Sequence, residues 1–247
     1  MNLYPSTQKT LFEHELVFQE LGKLYKKNKL PNKVLLSGEK GIGKSTLAYH
    51  LINFILSENE EYSYDSENYE INPENKSYKL LQNKSNPNFN LVDVAQDKKK
   101  IDINQIRELI INLNKSSFND KTRFVLIDNI EFLNVNSINA LLKVLEEPNE
   151  NINFILINNN KRVSPTLMSR CLNYKVHLTN KQSIKIINQL LNKDISNIIN
   201  YELIDNYITP GKLFNIIKLS KEHAIDLQKI NLCEFLSIMI NDKIYKK

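Results

Sequence analysis

The segment Gly38-Glu39-Lys40-Gly41-Ile42-Gly43-Lys44-Ser45 constrains the fold of this chain more than any other. An apolar run at residues 34–37, typical of a buried parallel strand, precedes it. Residues 46–56, whose apolar side chains recur at helical spacing, follow it. A strand, a loop of the form G-x-x-x-x-G-K-[ST] and a helix, in this order, indicate a phosphate-binding loop. The alternative, a glycine turn with a chance Lys-Ser pair, does not explain the flanking strand and helix.

Each part of this loop has a predicted role toward a nucleotide. The glycines permit positive φ angles and a close approach of the backbone, so that N–H groups and the helix N-terminus face the phosphates. Lys44 would contact the β- and γ-phosphates, and the Ser45 hydroxyl would bind Mg²⁺. The predicted nucleotide-binding residues of the loop are Gly38, Gly41, Gly43, Lys44, Ser45 and Thr46.

A second apolar run, residues 123–127, ends at Asp128, which is the candidate for the second magnesium ligand. AAA+ ATPases usually place glutamate at the next position, where it polarises the attacking water. This chain has Asn129, which cannot accept a proton as a carboxylate does. Glu131, if helical, is predicted to point elsewhere. The residues therefore favour nucleotide binding, with hydrolysis by the chain itself weak or absent.

Apolar strand patterns alternate with helical patterns along most of the chain, which predicts an α/β fold with a parallel sheet covered by helices. A first amphipathic helix is predicted over Leu11–Lys29, with Leu16 in its inward stripe. Asp102 is a predicted helix cap, and a later helix is predicted over Val135–Glu147, ended by Pro148. Residues 57–88 are polar and are predicted to form a loose insertion. From about residue 180 the pattern is helical only, so the domains are assigned to residues 1–178 and 179–247.

Composition limits the remaining function classes. The net charge of +5 permits contact with nucleic acid without arguing for it. Cys171 and Cys233 are the only cysteines, which excludes a four-cysteine zinc site. The sequence has no apolar run long enough to span a bilayer and no signal-peptide pattern at its start, so we expect a cytoplasmic protein.

Two further strings carry a resemblance to a known family. Residues 139–148 read NALLKVLEEP, and residues 165–171 read PTLMSRC. Together with Asn86-Pro87-Asn88-Phe89 and the IDINQIR string at residues 101–107, they resemble the bacterial AAA+ clamp-loader subunits of DNA polymerase III. Within that group the delta-prime type is the most similar. The resemblance covers about residues 11–175.

The resemblance implies a P-loop AAA+ domain followed by a small helical lid, and a role in loading a sliding clamp onto primer–template DNA during replication. It implies that Arg170 completes the ATP site of a neighbouring motor subunit of the gamma/tau type, and that a delta subunit is a further partner. Asn158 or Asn159 would occupy the sensor-1 region. ATP and Mg²⁺ are the implied cofactors, without zinc. The family's collar domain is expected to be truncated or absent.

Two alternatives remain at this point. The chain could be an independent ATPase motor of the same superfamily that uses Glu131 in place of the missing glutamate. It could also be a DNA-binding module, given the basic runs Lys98-Lys99-Lys100 and Lys26-Lys27, although such runs are more often solvated surface.

Overall fold

A computed structural model describes residues 3–95, 98–115, 119–146, 151–204 and 207–242. The chain forms two compact units. The first comprises Met1–Glu39 and Gly43–Val176, and the second comprises Lys40–Ile42 and His177–Lys247. Each unit is described by itself below.

The first unit is built on a five-stranded parallel sheet with the strand order β2-β3-β4-β1-β5. Its strands are β1 Lys33–Ser37, β2 Phe89–Val92, β3 Arg123–Ile127, β4 Ile152–Asn158 and β5 Leu172–Lys175. The parallel α/β sheet predicted from the sequence is confirmed. Strand β5 was not predicted, because its residues are mostly exposed and show no apolar run.

Helices cover this sheet, and those predicted around residues 46–56, 103–113 and 135–147 lie close to the predicted positions. The first helix is shorter than predicted, and two short helices, at residues 76–82 and 165–168, were not predicted. The helices of this unit are α1 Glu15–Lys26, α2 Lys44–Leu56, α3 Lys76–Gln82, α4 Ile103–Leu113, α5 Val135–Glu146 and α6 Pro165–Met168. Leu16 is 82% exposed, so its assignment to the inward stripe of α1 was wrong, whereas Leu21 is fully buried. Glu147 and Pro148, predicted to end α5, lie outside the described residues.

Helix α4 is fixed at both ends by side chains. At its start, Asp102 accepts hydrogen bonds from the backbone N–H groups of the first turn, as predicted. At its end, the buried Arg123 guanidinium donates to the carbonyls of Asn112 at 2.7 Å and Leu113 at 3.0 Å. Because the last carbonyls of a helix have no partner within it, this arginine ties α4 to the start of β3.

The sequence predicts that residues 57–88 form a loose insertion or surface excursion rather than a domain. They do not form a domain of their own, but they are packed rather than loose. The Tyr64 ring stacks on Phe18 with 5.0 Å between centroids. Asn75, fully buried, caps α3 by accepting from the Tyr78 N–H at 2.7 Å and donates to the Tyr62 carbonyl at 2.6 Å. A few aromatic anchors and one buried cap therefore order a segment whose average composition is polar.

The second unit is helical. Its helices are α7 Asn180–Leu191, α8 Pro210–Glu222 and α9 Leu232–Asn241. A separate apolar cluster forms its core and includes Ile187, Leu213 and Ile217. Thr209 caps α8, and its hydroxyl donates to the carbonyl of Lys40 at 2.9 Å. None of the helices within the described ranges is long and apolar enough to span a membrane.

His50 on α2 gives the first unit a predictable response to acid. It is fully buried with Nδ1 2.9 Å from the Tyr64 hydroxyl oxygen, and burial lowers the pKa of His50 to about 4. Between about pH 6.5 and pH 4 the unfolded chain binds a proton at this histidine that the folded chain does not. The free energy of unfolding therefore decreases as the pH is lowered from about 6.5 to about 4. We expect this one group to account for about 3 kcal/mol of that fall. Urea unfolding at both pH values should show a shallower fall in His50→Asn, while the exposed His177→Asn should behave as wild type.

Candidate nucleotide-binding site

The glycine loop lies between β1 and α2 and adopts part of the predicted backbone geometry. Gly41 and Gly43 have left-handed φ angles of 88° and 95°, which only glycine adopts without strain. Gly43 is the N-cap residue of α2. Gly38 does not use the positive φ that glycine permits. Its N–H instead donates to the Asn158 carbonyl at 3.2 Å, which joins the loop to the end of β4.

Lys44 is buried at the start of α2 with its ammonium group surrounded by oxygens. It donates to the carbonyls of Gly38 at 2.9 Å and Glu39 at 2.6 Å, and to Asn159 Oδ1 at 3.0 Å. Burial lowers the pKa of Lys44 to about 8, against the opposing charges of Asp128, Glu131 and Glu39. The side chain thus remains charged at neutral pH and available to an anion.

Ser45 and Asp128, far apart in sequence, meet at the carboxyl edge of the sheet. The Ser45 hydroxyl donates to Asp128 Oδ2 at 2.5 Å. Burial raises the pKa of Asp128, a tendency that the Ser45 hydroxyl opposes. A hydroxyl and a carboxylate side by side are the oxygen ligands that Mg²⁺ uses beside a nucleotide. Thr46 follows in the first turn of α2 and is half-buried.

A directional chain of hydrogen bonds extends from Lys44 across the strand ends. Asn159 Oδ1 accepts from Lys44, and Asn159 Nδ2 donates to Asn129 Oδ1 at 2.8 Å. Asn129 Nδ2 in turn donates to Asp93 Oδ1 at 2.7 Å. The lysine only donates and the carboxylate only accepts, so the orientation of both amides is fixed by the ends of the chain. Of the two predicted sensor-1 candidates, Asn159 is the one that faces the lysine.

Glu131 also faces this site, which corrects the prediction that it points elsewhere. Asn129 has a left-handed backbone with φ of 56°, and the chain then makes a short 3-10 turn at Ile130–Phe132. The carboxylate accepts from the Asn159 side chain at 2.9 Å and from its backbone N–H at 3.3 Å. Asp93 was missed as a site residue; it directly follows β2, as Asp128 directly follows β3.

Arg170 lies apart from this cluster, just after α6. Its guanidinium donates to the Thr166 carbonyl at 2.9 Å and forms an ion pair with Glu146, the last residue of α5. The side chains of Arg170 and Glu146 are 33% and 51% exposed. Burial raises the pKa of the neighbouring Cys171 thiol to about 11, so the thiol is protonated at neutral pH and is not an activated nucleophile.

The residues present fit a magnesium–nucleotide complex. Lys44 would bind phosphate, and Ser45 with Asp128 would hold the metal ion, which would withdraw charge from the phosphates. Gly41 and Gly43 adopt the left-handed backbone conformation that such a loop requires. Among the described residues, no group of three or more His, Cys, Asp and Glu side chains is placed to hold a metal ion by itself.

The parallel sheet, the glycine loop after β1 and the acid after β3 define a P-loop protein of the AAA+ class. The crystal structure of the RuvB Holliday junction branch migration motor of Thermotoga maritima is similar in fold, with a TM-score of 0.53 at 18% identity. The match covers 96% of this chain and 72% of that one. A family model described as DNA polymerase III, delta subunit, matches residues 13–180. The chain therefore belongs to the delta/delta-prime clamp-loader family of DNA polymerase III.

Individual relatives carry different subunit names, among them gamma and delta'. The DNA polymerase III subunit gamma of Buchnera aphidicola subsp. Schizaphis graminum is 27% identical over 92% of this chain and 61% of its own length. The DNA polymerase III subunit delta' of Pseudomonas aeruginosa is 32% identical over 56% of this chain and 40% of its own length. The chain thus spans about half of the length of these relatives.

Proposed function

We propose that this chain is a non-motor, delta-prime-like subunit of the DNA polymerase III clamp loader. It binds ATP with Mg²⁺ and supplies Arg170 to the ATP site of a neighbouring gamma/tau-type motor subunit. With a delta subunit, this assembly loads the sliding clamp onto primer–template DNA. Membership of the clamp-loader family supports a role within the clamp loader. Asn129 in place of the usual glutamate supports a non-motor role.

The observation that carries the proposal is the state of Arg170. Its guanidinium is held at the surface by one carbonyl and one exposed carboxylate, so it is neither buried nor committed to the core of its own fold. An exposed ion pair contributes about 1 kcal/mol or less, so a phosphate from another chain can replace Glu146 at small cost. Arginine is suited to this exchange because its planar group binds phosphate oxygens in pairs.

Reconstitution tests this function. The chain is mixed with a gamma/tau-type motor subunit, a delta subunit, the sliding clamp and primed DNA. We expect clamp loading and DNA-stimulated ATP turnover to require the chain. A mixture that loads clamps equally well without it, in the absence of any other delta-prime subunit, would contradict the proposal.

A second candidate function, an independent ATPase motor, is favoured by one observation. The Glu131 carboxylate lies within the site, so a negative group is present despite Asn129. Relatives named gamma are also similar to the chain. Steady ATP turnover by the purified chain alone, at the rate of a motor subunit, would favour this function over the first.

A further inference from the structure

The Asn159 carboxamide is held in one orientation by its neighbours. Both of its N–H bonds point away from Lys44: one donates to Asn129 Oδ1 at 2.8 Å and the other to Glu131 Oε1 at 2.9 Å. Its oxygen faces the Lys44 ammonium at 3.0 Å. Since a carboxylate cannot donate and an ammonium cannot accept, the amide cannot be reversed without breaking two charge-assisted bonds.

This orientation has a consequence for an incoming anion. A phosphate beside Lys44 would meet the Asn159 oxygen, which repels it, rather than an N–H group, which would bind it. A nucleoside triphosphate carries one more phosphate, and more negative charge, than a diphosphate, so this repulsion is larger for the triphosphate.

We propose that Glu131 is a positioning residue that, with Asn129, holds the oxygen of Asn159 toward Lys44 and so lowers the preference of the site for nucleoside triphosphates over diphosphates. This inference rests on the proposed nucleotide site and extends it to its selectivity. It also gives Glu131 a role other than that of a replacement for the missing catalytic glutamate.

Binding measurements on the full chain test the inference without any turnover. The affinities for ATPγS and ADP, each with Mg²⁺, are measured by calorimetry, and their ratio is compared between variants. Glu131→Ala frees one N–H of Asn159 and removes the bond that fixes it. We expect the ratio of ATPγS to ADP affinity to rise about tenfold, the size of one hydrogen bond to a charged group. The exposed Glu108→Ala on α4 serves as the matched control and should leave the ratio unchanged.

Two further variants separate orientation from charge. Glu131→Gln keeps an acceptor oxygen for Asn159, so its ratio should stay within about threefold of wild type; a rise as large as that in Glu131→Ala would overturn the inference. In an Asn159→Ala background, Glu131→Ala should have no further effect, because the positioned group is gone. An additive effect there would show that Glu131 acts directly.

Two other results also test the inference: a Glu131→Ala variant that does not fold, and a wild-type chain that binds neither nucleotide. If Glu131→Ala does not fold, as judged by thermal unfolding, Asn159→Ala alone should raise the ratio, since it removes the repelling oxygen; an unchanged ratio would overturn the inference. If wild type binds neither nucleotide, the inference fails, whereas the supply of Arg170 to a neighbour stands, because that is measured on the motor subunit's turnover.

Discussion

Arg170→Ala should lower the DNA-stimulated ATP turnover of the reconstituted clamp loader about a thousandfold at the site that this residue completes. An arginine supplied by a neighbouring chain stabilises charge on the transferred phosphoryl group, and its loss costs about 10³-fold or more. If the motor subunits also hold sites completed by other arginines, the measured loss applies to the fraction of turnover that depends on this chain. Rapid-quench measurement of the first turnover resolves this fraction.

Matched variants separate this role from a structural one. Arg162→Ala removes an exposed arginine from the same loop region and should leave turnover unchanged. Glu146→Gln weakens the internal ion pair that competes for the guanidinium. It should leave turnover equal or raise it severalfold, since Arg170 is then easier to transfer to a phosphate. Normal clamp loading by Arg170→Ala, with the complex intact by gel filtration, would refute the trans role.

The strand, loop and helix around Lys44 were predictable from the sequence because the pattern that specifies them lies within a few consecutive residues. The spacing of Gly41, Gly43 and Lys44 fixes a strand, a tight loop and a helix start within a few residues, with no need of distant contacts. Asp128 could be added because parallel strands end at the same edge of the sheet, and the structure places it beside Ser45. Whether these residues bind ATP stays a prediction.

Features that depend on a single backbone turn or on sparse contacts were not predictable. The orientation of Glu131 follows from the left-handed Asn129, which no pattern of apolar residues encodes. The order in residues 57–88 depends on a few buried side chains such as Tyr64 and Asn75 within a polar segment. The role of Arg123 also required structure, since a basic residue at a strand start is usually exposed.

Lys44→Met should weaken nucleotide binding about a hundredfold while leaving the chain folded. The ammonium is charged at pH 7, because its pKa is about 8, and it is already dehydrated by burial. Its three N–H bonds already contact oxygens of Gly38, Glu39 and Asn159. A phosphate would therefore replace one of these neutral oxygens and form a charge-assisted hydrogen bond without the cost of stripping water from the lysine. Bonds of this kind contribute about 1.5–3 kcal/mol, which corresponds to a tenfold to hundredfold change in affinity, and the buried position places Lys44 at the upper end.

Methionine keeps much of the volume of the lysine, but it leaves the carbonyls of Gly38 and Glu39 without their donor. We expect a loss of stability of about 1–3 kcal/mol for that reason, measurable by urea unfolding and separate from the loss of affinity. Lys40→Ala replaces an exposed lysine of the same loop and serves as the control. It should change the nucleotide affinity by no more than about twofold and the free energy of unfolding by no more than about 0.5 kcal/mol. Retained affinity in Lys44→Met would mean that nucleotide binds elsewhere, and the loop between β1 and α2 would then serve the fold alone.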